Sequence, residues 1–169
     1  MITFIIGGIK SGKTRFALKE GEKTGNKNFY YIATARVIDK EMKERIEKHK
    51  KERGSHWITI EEPVNLGEVL IKIPDNSCVV IDCLTTWLTN LIVEEYDYQF
   101  FIDSLIESLK SISQRIHIFI ITNEVGLGII PESELARKFI DIAGVVHQKI
   151  MDLCDKAYFM VAGKALRIK

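Results

Sequence analysis

Short runs of apolar residues alternate along the chain with longer segments in which apolar residues recur at helical spacing. The short runs are rich in β-branched and aromatic residues, which is typical of strands buried in a parallel sheet. They lie at Ile2–Ile6, Phe29–Thr34, Trp57–Ile60, Ser77–Asp82, Ile116–Ile121, Lys156–Val161 and Ala165–Ile168. Because helical segments separate most of these runs, the pattern predicts right-handed crossovers and a mostly parallel sheet with helices on both faces.

The segments between the strands are predicted to be helices. They lie at Lys13–Lys23, Asp39–Arg53, Asn65–Ile71, Thr85–Val93 and Tyr98–Ser113, and a long last helix begins at Glu132. Only the turn at Gly163 and Lys164 separates the last two strands. We therefore expect the final strand to pair antiparallel with its neighbour.

The stretch GGIKSGKT matches the phosphate-binding pattern G-x-x-x-x-G-K-[ST] in full and lies between the first strand and the first helix. Glycines let the backbone N–H groups turn inward, and the helix N-terminus adds partial positive charge. Lys13 is expected to reach the β- and γ-phosphates of a nucleotide, and Thr14 to offer a hydroxyl ligand to its Mg²⁺. The alternative is a glycine-rich surface turn. The predicted phosphate contacts are Gly7, Gly8, Ile9, Lys10, Ser11, Gly12, Lys13 and Thr14.

This loop and the order of strands and helices together predict the fold class. Residues 1–169 are expected to form one α/β domain, a P-loop NTPase-type three-layer sandwich. Its sheet should be mostly parallel with an antiparallel edge.

Several polar residues stand directly at the ends of predicted strands. Asp82 follows four apolar residues, and in phosphate-loop folds such a carboxylate binds Mg²⁺ directly or through water. It could also be the N-cap of the next helix, and the two roles are compatible. Thr34, Glu61, Asn123 and Glu124 could contact a substrate or cap a turn.

His49 lies on a predicted helix that places Met42, Ile46 and Arg53 on the same face. Two interpretations stay open. The ring could be satisfied by a carboxylate at the helix edge. It could instead attack an α-phosphorus as a neutral imidazole, with Arg45, Arg53 and bound Mg²⁺ disfavouring imidazolium and stabilising the transition state. Arg45 is also a candidate substrate contact.

Composition limits the partners. With 24 basic and 23 acidic residues the formal net charge is +1, so no overall electrostatic field favours binding to nucleic acid or to a membrane surface. The basic run at 48–53 is interrupted by Glu52 and lacks aromatic residues, as on a solvated helix face. The three cysteines form no C-x-x-C pair, and no apolar run approaches 18 residues. We expect a cytoplasmic protein with no membrane span and no nucleic-acid partner.

Several stretches together resemble the bifunctional adenosylcobinamide kinase / adenosylcobinamide-phosphate guanylyltransferase family of cobalamin biosynthesis. They are GGIKSGKT, YIATA, RIEKHKKER, W-x-T-x-E-x-P at 57–63, DCLTTWLTNL, TNEVGLGIIP and LARKFIDIAG. Very many proteins share a phosphate loop, whereas this ordered set runs almost end to end and is close to diagnostic.

The resemblance implies two reactions on a corrinoid. ATP or GTP first phosphorylates the aminopropanol hydroxyl of adenosylcobinamide, and GMP is then transferred from GTP to that phosphate, giving adenosylcobinamide-GDP and pyrophosphate. The family's guanylylated histidine falls on His49, which favours the nucleophile, and Lys13 is the second catalytic candidate. Members of the family are homotrimers with active sites near subunit interfaces. Beyond the phosphate loop, the implied nucleotide contacts are Ala33, Thr34, Ala35, Glu52, Arg53, Gly54, Ser55, Glu61 and Asp82.

Two other functions stay open. An ordinary small-molecule kinase would need the phosphate loop and Asp82 but no covalent histidine. A nucleotide-dependent switch is disfavoured because residues 122–125 read TNEV where a signalling GTPase would carry Asn-Lys-x-Asp. Lys10, Thr14 and His147 depart from the residues common in the family, and the first two preserve the chemistry.

Overall fold

The computed structural model describes residues 1–36 and 54–169. The predicted helix Asp39–Arg53 lies outside these ranges. The described strands are β1 (Ile2–Gly7), β2 (Asn28–Ala33), β3 (Trp57–Glu61), β4 (Ser77–Asp82), β5 (His117–Asn123), β6 (Lys156–Val161) and β7 (Lys164–Arg167). The described helices are α1 (Lys13–Glu22), α2 (Leu66–Ile71), α3 (Leu84–Val93), α4 (Tyr98–Ile112) and α5 (Glu134–Leu153).

The seven strands form one sheet in the order β3-β2-β4-β5-β1-β6-β7. Every neighbouring pair is parallel except β6 and β7, which pair antiparallel across their short turn. The predicted sheet, mostly parallel with an antiparallel edge, is confirmed.

Helices cover both faces of the sheet. Alternate residues of each strand point to opposite faces and enter two separate apolar clusters. The larger cluster packs strand residues such as Phe4 and Ile81 against α2, α3, α4 and α5, with Trp87 and Leu105 fully buried. The smaller cluster packs the other face of the strands against Ala17 of α1. The three-layer arrangement is therefore as predicted. Within residues 1–36 and 54–169, no helix is both long and apolar enough to cross a membrane.

Two element boundaries differ from the sequence prediction for identifiable reasons. β5 continues through Thr122 and Asn123, beyond the predicted end at Ile121, because they keep pairing with Ile6 and Gly7 of β1. α5 begins at Glu134 and not at Glu132, since the Ser133 hydroxyl accepts a hydrogen bond from the Ala136 N–H and caps the helix there.

Parallel pairing brings the carboxyl ends of the strands to one edge of the sheet, which we call the carboxyl edge. Ala33 pairs with both Glu61 and Asp82, and Gly7 pairs with Asn123. In open α/β sheets ligands bind at this edge. The fold therefore collects most of the predicted site residues in one place.

Candidate active site

The phosphate loop (residues 7–14) is pressed against the hairpin of β6 and β7. A Cβ added to Gly7 would lie 2.5 Å from the Met160 carbonyl oxygen, so only glycine fits there. The Gly163 N–H donates to the Ser11 carbonyl over 3.0 Å. Gly12 precedes α1 with a φ of +94°, in the left-handed region that favours glycine. The hairpin thus fixes the shape of the loop.

Lys13 is the first residue of α1, and its side chain folds back into the phosphate loop. The ammonium donates to the carbonyls of Gly7 and Gly8 over 3.0 and 2.6 Å, and the residue is only 7% exposed. Burial lowers the pKa of Lys13, while the nearby Cys83 and Asp82 act in the opposite direction. The Ser11 hydroxyl oxygen is buried there too, without a hydrogen-bond partner in the described part of the chain. This combination of cation, hydroxyl and helix N-terminus suits a phosphate group.

Asp82 ends β4 opposite the start of α1. Its Oδ2 atom accepts hydrogen bonds from the Thr14 hydroxyl over 2.7 Å and from the Tyr31 hydroxyl over 2.6 Å. Asp82 is not the N-cap of α3. Cys83 holds that position, and its side chain makes no capping hydrogen bond. A carboxylate and a hydroxyl in contact, beside a phosphate-binding loop, are ligand types that fit Mg²⁺.

The predicted contacts on β2 and β3 lie at the same carboxyl edge. Ala33 and Glu61 share the α1 face with Asp82, since strand residues of equal parity face the same way. Thr34 is fully buried, and its hydroxyl donates to the Cys83 carbonyl and accepts from the Cys83 N–H. Its side chain therefore joins β2 to β4, while Ala35 lines an adjacent cavity.

Asn123 is the last residue of β5 at this edge, and Glu124 follows it. The Glu124 carboxylate accepts from the N–H groups of Gly126 and Leu127, over 2.7 and 3.0 Å. Of the two roles considered for Glu124, the structure shows the turn cap. The Asn123 N–H donates to the Thr85 hydroxyl over 2.7 Å, which ties the loop to α3.

Other predicted residues are not brought to the phosphate loop by the described chain. Gly54 and Ser55 precede β3, whose first residue, Trp57, pairs with the beginning of β2. They lie at the edge of the sheet opposite the carboxyl edge, and their contact with a nucleotide stays a prediction. Arg45, His49, Glu52 and Arg53 lie outside the described residues.

Tyr31 is a site residue that sequence reasoning missed. It lies two residues before Ala33 on the α1 face of β2, and its hydroxyl reaches the Asp82 carboxylate on the neighbouring strand. The sequence signal is a hydroxyl on a mostly apolar strand, and Tyr30 beside it carries the same signal. It becomes informative once the pairing of β2 with β4 is known.

A chain of side-chain hydrogen bonds leading from the carboxyl edge into the core was also missed. The Thr85 and Thr122 hydroxyls are 3.0 Å apart, and Thr122 is 2.8 Å from His147 Nε2. The imidazole packs against the Phe4 ring, with 5.8 Å between the two ring centroids. Burial lowers the pKa of His147 to about 4, and the charge of Glu124 acts in the opposite direction with a smaller effect. The ring is therefore neutral near pH 7 and accepts or donates one hydrogen bond here.

Comparison with known proteins gives one family. Residues 3–168 match the family model described as cobinamide kinase / cobinamide phosphate guanyltransferase. The chain is 38% identical to the bifunctional adenosylcobalamin biosynthesis protein CobP of Pseudomonas aeruginosa, covering 100% of this chain and 98% of that protein. It is 38% identical to the protein of the same description named CobU from Escherichia coli and 36% identical to the one from Salmonella typhimurium. Each comparison covers 100% of this chain and 100% of the relative.

Solved structures share the fold at low sequence identity. The flagellar accessory protein FlaH from Methanocaldococcus jannaschii superposes with a TM-score of 0.58 at 14% identity, covering 99% of this chain and 77% of that one. The RadB recombinase superposes with a TM-score of 0.50 at 18% identity, covering 94% and 73%. These similarities support the fold class alone.

The lowered pKa of His147 predicts a pH-dependent stability. An unfolded histidine titrates near 6.5, so between about pH 4 and 6.5 the unfolded chain binds more protons than the folded protein. The stability that neutral His147 contributes is complete above pH 6.5 and is lost as the pH falls toward 4. We expect His147→Asn to lose less unfolding free energy between pH 7 and pH 5 than the wild type, measured by urea denaturation. His56→Asn, which removes an exposed histidine, is the control, and equal losses in all three proteins would contradict the assignment.

Proposed function

This chain belongs to the cobinamide kinase / cobinamide phosphate guanyltransferase family, and we propose that one site at its carboxyl edge serves both reactions. The chain is accordingly a kinase and a guanylyltransferase that act on cobinamide. The observation that carries the single-site proposal is the contact between the phosphate loop, through Thr14, and Asp82. One such nucleotide site can present either the γ- or the α-phosphorus of a triphosphate to an acceptor.

In the kinase reaction, the aminopropanol hydroxyl of cobinamide attacks the γ-phosphorus of ATP or GTP, and the nucleoside diphosphate leaves. Negative charge spreads over the transferred oxygens in the transition state. The Lys13 ammonium and the N–H groups at the start of α1 stabilise that charge, because both direct positive charge into the loop. Lys13 is therefore proposed as the catalytic cation.

We propose Thr14 and Asp82 as the protein ligands of the Mg²⁺ that arrives with the nucleotide. Both carry oxygen atoms, and α1 and β4 fix them 2.7 Å apart. The ion, when bound, neutralises charge on the β- and γ-phosphates. Tyr31 donates to the same carboxylate oxygen and acts as a positioning residue for Asp82.

Replacing Thr14 by valine tests this assignment, since valine keeps the shape of the side chain and removes the hydroxyl. We expect the Mg²⁺-dependent affinity for GTP to fall roughly 10- to 100-fold, the range for mutations around bound metals. The measurement is calorimetric titration with GTP, with and without Mg²⁺. Thr24→Val is the matched control, because that hydroxyl lies at the far end of α1, where it donates to the Gly21 carbonyl. An unchanged magnesium dependence in Thr14→Val would contradict the proposal.

For the guanylyltransferase reaction we propose His49 as the nucleophile. Its neutral imidazole attacks the α-phosphorus of GTP, an N–P bond forms, and pyrophosphate leaves with the bonding electrons. The phosphate of cobinamide phosphate then attacks the same phosphorus, which releases the histidine and gives the GDP-linked product. Arg45 and Arg53 would stabilise the charge, and the proposed nucleotide contacts are Ala33, Thr34, Ala35, Glu52, Gly54, Ser55 and Glu61.

Labelling tests the covalent step. The wild-type protein, incubated with Mg²⁺ and GTP labelled at the α-phosphate, is expected to acquire an acid-labile, base-stable label, as a phosphoramidate does. His49→Ala should acquire none, because it lacks the attacking nitrogen. His56→Ala should label like the wild type, since that ring is exposed and pairs with Glu22 at 3.2 Å. No label on the wild type, with cobinamide still phosphorylated, would favour the kinase that works without a covalent histidine.

We also propose that the chain forms the homotrimer that its family resemblance implies. The loop after β5 exposes three large apolar side chains, Leu127 at 79%, Ile129 at 96% and Ile130 at 78%, beside the carboxyl edge. Exposed apolar patches of this kind mark interaction surfaces. Light scattering is expected to give three times the 19.4 kDa of one chain for the wild type, and a smaller particle for Ile129→Glu. A monomeric wild type would contradict the proposal.

A further inference from the structure

A cavity of about 340 Å³ opens at the carboxyl edge, on the face of the sheet that carries α3. The segment after β2 forms one wall, and successive turns of α3 form the other. Ligand pockets span about 300–1,000 Å³, so this one is large enough for a side chain of a ligand but not for a corrinoid ring. Its polar lining comes from Arg36, Thr85, Thr86, Thr89, Asn90 and Glu94.

Arg36 and Glu94 place a donor and an acceptor side by side in this cavity. Arg36 Nη1 lies 2.7 Å from Glu94 Oε1, and each side chain is 35% exposed. Arg36 Nε is buried and has no hydrogen-bond partner in the described part of the chain. Because this nitrogen has no exposed surface, a ligand in the cavity can reach only the remaining, exposed part of the Arg36 side chain.

The charges of the pair restrict the class of ligand. An anion would be repelled by Glu94, and a cation by Arg36, whereas the pair as a whole is neutral. A carboxamide offers a carbonyl that accepts and an NH₂ that donates. The exposed part of the Arg36 guanidinium can donate to such a carbonyl while the Glu94 carboxylate accepts from the NH₂.

The cavity walls are held in place by hydrogen bonds. The Asn90 side-chain NH₂ donates to the carbonyls of Thr34 and Pro63 over 2.9 and 3.1 Å, which anchors α3 to the ends of β2 and β3. The Thr85 hydroxyl is fixed by the Asn123 N–H and by Thr122. A preformed wall of this kind lowers the entropic cost of binding.

The same hydrogen bonds connect the cavity to the phosphate loop. Asn123, which donates to Thr85 in the cavity wall, is paired in the sheet with Gly7, the first residue of the phosphate loop. The cavity and the phosphate loop therefore flank the carboxyl edge from its two faces. A molecule held in the cavity by one arm can present another group to a nucleotide in the loop.

We propose that this cavity binds a carboxamide-bearing side chain of the corrinoid substrate, with Arg36 and Glu94 as the recognition pair. The proposal rests on the proposed function, because it assigns part of the acceptor site of the same reactions. A cobinamide is an amide of a corrinoid acid, so it carries the group that the pair fits. Arg36 and Glu94 are then determinants of acceptor binding, next to Ala35, a proposed nucleotide contact that lines the same cavity.

The test measures the binding of cobinamide and of GTP separately. Equilibrium dialysis with cobinamide, which is followed by its visible absorbance, gives one Kd, and calorimetry with GTP and Mg²⁺ gives the other. For Arg36→Met we expect the Kd of cobinamide to rise about tenfold, which corresponds to about 1.4 kcal/mol, and the Kd of GTP to stay within about twofold. Val93→Trp, which fills the cavity from an exposed position of α3, should do the same without touching the ion pair.

Lys72→Met is the matched control. It removes a cation from an exposed ion pair with Glu68 on α2, outside the cavity, and should leave both dissociation constants unchanged. Thermal melting of each variant establishes that it is folded. If the wild type binds cobinamide and both folded variants bind it equally well, the cavity proposal fails while the proposed function stands. A rise in the Kd of GTP instead would assign the cavity to the nucleotide and overturn the proposal, and a wild type that binds no cobinamide would overturn both.

Discussion

The Asp82 carboxylate is the point at which the strands of the sheet meet the helix that follows the phosphate loop. One of its oxygens accepts from Thr14 at the start of α1 and from Tyr31 on β2. Charge-assisted hydrogen bonds of this kind are roughly twice as strong as neutral ones. They fix the position of α1 relative to β4, and they therefore also set the direction in which the N-terminus of α1 points. The same oxygen atoms are those that the proposed metal site uses.

The antiparallel edge of the sheet supports the phosphate loop from the other side. Met160 approaches the backbone of Gly7 so closely that no side chain could stand there, and Gly163 donates to the Ser11 carbonyl. Because protein interiors are close-packed, a loop held on two sides keeps its shape without a ligand to organise it. The last two strands, which contribute little to the apolar core, therefore matter to the site as a support for its backbone.

The carboxyl edge has two chemically different faces. The α1 face carries Lys13, whose positive charge suits phosphates. The α3 face carries a neutral cavity with the Arg36 and Glu94 pair, and Thr85 connects the two faces through Asn123. The proposed arrangement places the charged nucleotide on the first face and an uncharged arm of the acceptor on the second.

Within the described residues, the sequence by itself determined the strands, the helices and the phosphate loop, because apolar spacing and the GGIKSGKT pattern are local properties of the chain. It also placed Asp82 and Glu61 at one edge, since parallel strands end together. Only the tertiary structure decided that Tyr31 reaches Asp82, that Glu124 caps its own turn, and that Arg36 meets Glu94. These contacts depend on which strands are neighbours and on how α3 packs, and long-range pairing leaves no periodic signal in the sequence.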